Sequence, residues 1–96
     1  MSAHLVGHIR VRDPELWKEY VGQVPGTLAP FGGEVVFRGR KAAVLSGELG
    51  HDLVVVLRFP DQGAVRAWYG SAAYQALIPV RDAAADLVLV AYDDVS

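Results

Sequence analysis

The sequence predicts an α+β fold in which an antiparallel sheet carries two helices on one of its faces. A segment alternating apolar and polar residues opens the chain, and two runs that are apolar on both faces lie in its second half. Between these strands stand two stretches of helical spacing, each preceded by an Asp in a capping position. The resulting order, β-α-β-(β)-β-α-β, is two βαβ halves with a split crossover, the arrangement called ferredoxin-like.

Along Leu5 to Arg12, Leu5, Gly7, Ile9 and Val11 fall on one face and His4, Val6, His8, Arg10 and Arg12 on the other, the period of a half-buried strand. Asp13-Pro14-Glu15 then gives an N-cap acceptor, a proline at the first helical position and an acid in the first turn. Leu16, Tyr20 and Val24 continue that helix, widened by Trp17 and Val21. Pro25-Gly26 is expected to interrupt it, Thr27 to Phe31 to resume it briefly, and Gly32-Gly33 to end it.

Glu34 to Arg38 reads as a strand, Gly39-Arg40 as a turn, Lys41 to Leu49 as a further edge strand, and Gly50-His51-Asp52 as a loop. Leu53 to Phe59 is a central strand, apolar on both faces until Arg58. Pro60 stops it and Asp61 caps a helix carrying Ala64 and Trp68. That helix is expected to break at Gly70-Ser71 and continue through Ala72 to Ala85, before a last strand from Leu87 to Tyr92. Helices on one face leave the other face bare, with Val54, Val56, Val88 and Val90 on it. A second copy of the same sheet is the simplest cover, so a homodimer is expected.

Ninety-six residues make one domain, 1–96. The 52% apolar content is high for so short a chain, which again calls for a buried subunit interface. A net charge of −2 without a basic run argues against nucleic acid as a partner. The absence of cysteine removes disulfides, thiolate metal sites and a Cys nucleophile. The longest apolar run falls well short of the roughly 20 residues of a membrane span, so no membrane partner is expected. No signal peptide is visible, and a bacterial cytoplasm is the expected address.

Several strings together resemble a bacterial family, the domain of unknown function 1330. They are Phe31-Gly32-Gly33, Arg38-Gly39, Leu45-Ser46-Gly47, Phe59-Pro60, and Ala67 to Gln75 with its Trp68, Ser71 and Tyr74, followed by Arg81. Asp13-Pro14 and Tyr20 fit as well. The resemblance implies a dimeric α+β barrel, with a pocket in each subunit between sheet and helices. Relatives of that superfamily include antibiotic-biosynthesis monooxygenases, muconolactone isomerases, haem-degrading monooxygenases and amino-acid-sensing regulator domains. Arg58 stands where that family often has Glu, and Glu34 where it often has Arg, a charge swap that can preserve an ion pair.

His4 and His8 share a strand face but lie roughly 13 Å apart, too far for one metal ion, so no metal site is expected. His8 alone is a candidate general base or an ordinary hydrogen-bonded histidine, and His51 is expected to be solvated. Arg38 and Arg58 are strand arginines that either meet an acidic ligand or pair with Glu34, Glu48 or a partner subunit. Trp68, Tyr69 and Tyr74 on one helix and Trp17 and Tyr20 on the other are core residues by spacing, yet rings with polar tips also suit a planar ligand. Ser71 has no histidine or acid at a telling offset and is expected to cap a helix.

The candidate ligand-binding residues are therefore Tyr20, Arg38, Trp68 and Tyr74. Leu5, Ile9 and Val11 most naturally face the helices, which turns His8 away from them unless a bulge at Gly7 reverses the phase. No catalytic residue and no cofactor are assigned. The favoured reading is a homodimer binding a small aromatic or anionic molecule. A cofactor-free monooxygenase, isomerase or cyclase on an aromatic or polyketide-like substrate is the alternative, and a dimer without pocket chemistry is the third.

Overall fold

A computed structural model describes residues 2–95. Four strands form one antiparallel sheet: β1 (Ala3–Val11), β2 (Glu34–Arg40), β3 (Leu53–Phe59) and β4 (Ala85–Asp93), in the order β2-β3-β1-β4. Helix α1 (Pro14–Leu28) connects β1 to β2, and α2 (Gln62–Tyr69), α3 (Ala72–Gln75) and α4 (Ile78–Ala84) connect β3 to β4. This is the ferredoxin-like α+β arrangement.

The alternation of β1 decides which side is covered. Leu5 and Ile9 are buried with Leu57 and Phe59 beneath Tyr20, Val24, Leu28, Val65 and Trp68 of the helices. The opposite side carries His4, Val6 and His8, cross-strand from Arg58, Val56 and Val54 of β3 and from Tyr92, Val90 and Val88 of β4. Among the described residues no helix lies over that side, and Val88, Val90 and Tyr92 are exposed there.

Local signals place the helices. Asp13 accepts from the backbone N–H groups of Glu15 and Leu16 at 3.1 and 3.2 Å, and Asp61 accepts from that of Ala64 at 2.8 Å. After α1 a short 3-10 turn, Ala29–Phe31, ends on Gly32 in the left-handed region, φ 70°. The N–H of Gly32 reaches the carbonyl of Ala29 and that of Gly33 the carbonyl of Leu28, each at 3.2 Å. A side chain at Gly33 would stand 2.7 Å from the Phe59 ring, so the second glycine lets the chain pass over the core.

Four expectations are corrected. Pro25-Gly26 does not interrupt α1. Pro25 lies on the exposed face, and burial of Val24, Thr27 and Leu28 carries the helix through the lost hydrogen bond. Gly39-Arg40 is not a turn but the end of β2, paired with Val54 and Leu53. Lys41 to Leu49 forms no strand: Lys41 N–H donates to the Asp52 carbonyl at 2.7 Å and Asp52 N–H to that of Ile9 at 3.0 Å. These bonds close the base of a loop, so the segment never runs along the free edge of β2. Finally, the second helical region breaks twice, at Gly70-Ser71 and again before Pro79, whose missing N–H suits a new helix start.

Candidate functional site

A cavity of about 320 Å³ lies between the sheet and α1. Its floor is aliphatic, from Ile9, Leu53, Val55, Leu57, Leu87 and Leu89. Trp17, Tyr20, Val21 and Val24 of α1 form the roof, and Trp68 of α2 closes one side. At the edge strand the lining changes character, with Arg38 and Arg40 beside Val35 and Gly39. These two arginines are the cavity's charged residues, and no acid lines it.

Arg38 reaches the cavity because β2 is bulged. Val35 pairs with Leu57, but the next pair is Phe37 with Val56, so Val36 is an extra residue. The insertion reverses the phase of the strand: Phe37 turns to the uncovered side, and Arg38 and Arg40 join Val55 and Leu53 on the helix side. The bulge lies in β2 and not at Gly7. The ion pairs of Arg10, Arg12, Arg58 and Arg81 do not extend to Arg38 or Arg40, which meet no carboxylate among the described residues.

The aromatic residues form two layers. Trp17 stacks on Tyr20 with ring centroids 5.1 Å apart, and both rings line the cavity. Behind them Trp68, 1% exposed, packs on Tyr74 at 4.2 Å and on Phe59 at 5.5 Å. Tyr74 is fully buried and stands outside the cavity lining, one layer behind Tyr20. Of the four candidate residues the structure thus brings Tyr20, Arg38 and Trp68 to one cavity, with Tyr74 supporting its wall.

The polar tips of this cluster bond to one another. The Trp68 indole N–H donates to Thr27 Oγ1 at 3.0 Å, and the Thr27 hydroxyl donates to the Val24 carbonyl at 2.7 Å. The hydroxyls of Tyr20 and Tyr74 are 2.8 Å apart, and Arg81 Nη1 donates to the Tyr74 oxygen at 3.0 Å. Burial, reinforced by Tyr74, pushes the Tyr20 phenol far above its ordinary range. Burial works against the Arg81 charge, but hydrogen bonds to Tyr69 and Tyr74 outweigh it and raise its pKa. Ser71 Oγ accepts from Tyr74 N–H at 3.2 Å and donates to the Trp68 carbonyl at 2.7 Å, a cap at the α2–α3 break.

The other polar candidates lie on the far side of the sheet. Glu34 and Arg58 form an ion pair there, directly cross-strand and half exposed. His4 pairs with Asp94 at 2.7 Å. His8 has a buried Nδ1 without a hydrogen-bond partner, and its ring lies 6.3 Å from that of His51. His51 is half-buried against this strand rather than solvated, because its loop folds back onto β1. Among the described residues no cluster of three or more His, Cys, Asp or Glu could hold a metal ion. Sequence reasoning missed Arg40, Thr27 and the role of Arg81. Only the bulge admits Arg40, whereas the apolar face of α1 on which Thr27 falls was a signal available beforehand.

The model of the domain of unknown function DUF1330 matches residues 2–95, and the chain belongs to that family. No curated protein matches it. Among solved structures it is similar to RPA0582, a protein of unknown function from Rhodopseudomonas palustris, at 20% identity and TM-score 0.85, covering 99% of this chain and 83% of that one. A dimeric ferredoxin-like protein of unknown function from Jannaschia sp. CCS1 matches at 11% identity and TM-score 0.80, over 98% and 100% of the two chains. SnoaB, a cofactor-independent oxygenase from Streptomyces nogalater, matches at 11% identity and TM-score 0.72, over 99% and 94%. At these identities the likeness concerns the fold. No helix among the described residues is long and apolar enough to cross a membrane.

Proposed function

We propose that the protein is a homodimer in which each subunit binds a small aromatic acid between sheet and helices. The observation that carries this reading is the lining of the cavity. A volume of about 320 Å³ is lined by aliphatic and aromatic side chains, and its charged residues are two arginines that meet no carboxylate of the chain among the described residues. That size sits at the lower end of small-molecule sites, roughly 300–1,000 Å³. Apolar walls favour a planar hydrocarbon body, while a guanidinium at the rim favours a carboxylate that can accept two parallel hydrogen bonds. Pairing of the uncovered sheet faces would bury Val54, Val56, Val88, Val90 and Tyr92, and the Jannaschia neighbour is itself described as dimeric.

Calorimetric titration with 1-naphthoate and with its neutral counterpart 1-naphthalenemethanol tests the site. Naphthoate is expected to bind more tightly, and Arg38→Ala to weaken it at least about tenfold, or 1.4 kcal/mol, while leaving the alcohol unchanged. Equal affinity for the acid and the alcohol in the wild type contradicts the proposal.

A further inference from the structure

The hydrogen bonds behind the cavity join Arg81 and Tyr74 to Tyr20, a residue of its lining. Arginine only donates, so the Arg81 Nη1 contact at 3.0 Å occupies an acceptor position on the Tyr74 oxygen. Tyr74 is fully buried, and among the described residues the one acceptor within reach of its own O–H is the Tyr20 oxygen at 2.8 Å. Either order leaves one hydroxyl without a protein acceptor; stranding that of Tyr74, fully buried and outside the cavity lining, costs more than leaving that of Tyr20, a lining residue, to the contents of the cavity. The chain therefore runs Arg81 to Tyr74 to Tyr20, and the Tyr20 O–H has no acceptor within the described protein. Tyr20 is the residue of the three whose ring lines the cavity.

We infer that Tyr20 is a ligand-binding hydrogen-bond donor, polarised by Tyr74 and Arg81, that selects aryl acids bearing a carbonyl or phenolate oxygen besides the carboxylate. This rests on the anion site proposed above and names the second recognition element of that site. Tyr20 acts as a donor rather than a base because its own phenol is held protonated by burial. Tyr74 and Arg81 are positioning residues. Each bond in the series makes the next donor more acidic toward its acceptor, so a negatively charged oxygen benefits more than a neutral one.

The probe is 4-hydroxy-3-nitrophenylacetate, whose phenol ionisation is visible in its absorbance, with phenylacetate as the control lacking the oxygen. When the probe is bound to the wild type, its phenol is expected to ionise about one pH unit or more below its value free in solution. Tyr20→Phe should abolish that shift. Tyr74→Phe, which keeps the Tyr20 hydroxyl but removes its polarising donor, should retain a smaller shift. A wild-type shift that persists undiminished in Tyr20→Phe, or binding of the probe without any shift, overturns this inference and leaves the anion site standing. Failure of both probe and phenylacetate to bind the wild type overturns the anion site together with it.

Discussion

Trp68 shows how one side chain can belong to a binding site and a core at once. Its ring packs on Phe59 and Tyr74, its N–H is satisfied by Thr27, and it is 1% exposed while still touching the cavity. Truncating it removes a large aromatic from the centre of the fold, so Trp68→Ala should cost about 3–5 kcal/mol in urea unfolding. Thr27→Val keeps the volume but strands the indole donor, and should cost about 1–3 kcal/mol. A Thr27→Val protein as stable as the wild type would show that the Trp68 N–H is hydrated instead. By contrast, the half-exposed Glu34–Arg58 pair contributes little, about 0–1 kcal/mol for such pairs. The residue types of the cluster are legible in the sequence, since Tyr20, Trp68 and Tyr74 stand at helical spacing on their elements. Their depth is not: whether a ring lines a cavity or fills the space behind it depends on how α1 and α3 pack, which spacing alone does not encode.

At the scale of elements, the register of β1 with β4 sets Arg10 opposite Asp86. Arg10 donates to the Asp86 carboxylate from Nη2 at 2.7 Å and from Nε at 3.2 Å, and Arg12 reaches its other oxygen. The hydrogen bond from Arg10 and the charge of Arg12 hold the Asp86 carboxyl below its usual range. A depressed folded pKa stabilises above the unfolded value, roughly pH 4, and that contribution is lost as pH falls through the folded value. The acid limb of a urea-midpoint profile should therefore be shallower in Asp86→Asn than in the wild type. Asp94 is depressed in the same direction by Ser2 and His4, so part of the acid sensitivity should remain. An unchanged acid limb would exclude Asp86 as a contributor. The alternation that defines β1 and the Asp caps of α1 and α2 are plain in the sequence. The bulge at Val36 is not, because Glu34 to Phe37 carries no glycine or other local mark of an inserted residue. That single residue decides that Arg38 faces the cavity and Phe37 the open side. The loop from 41 to 52 misleads for a related reason: Ala42 to Leu45 is apolar enough for a strand, but a strand also needs a partner, and the closure of the loop on Asp52 withholds one.

The whole molecule has two apolar problems on opposite sides of one sheet. On the helix side the chain covers its own sheet but leaves a lined cavity; on the other, only the loop carrying His51 reaches over His8, and Val88, Val90 and Tyr92 stay exposed. A second copy on the open side, as proposed, would resolve the second and hold the sheet that floors the first. Val56 lies on the open face between Val6 and Phe37, so Val56→Glu should shift the sedimentation coefficient from dimer to monomer. The mutated face points away from the cavity, so a folded monomer should retain the Trp68 environment. Native mass spectrometry of the purified protein in the presence of 1-naphthoate reads assembly and occupancy in one spectrum. A dimer carrying up to one naphthoate per subunit, and an Arg38→Ala dimer carrying none, is the predicted result. A species at the mass of one chain, or a wild-type dimer that takes up no naphthoate, would contradict it.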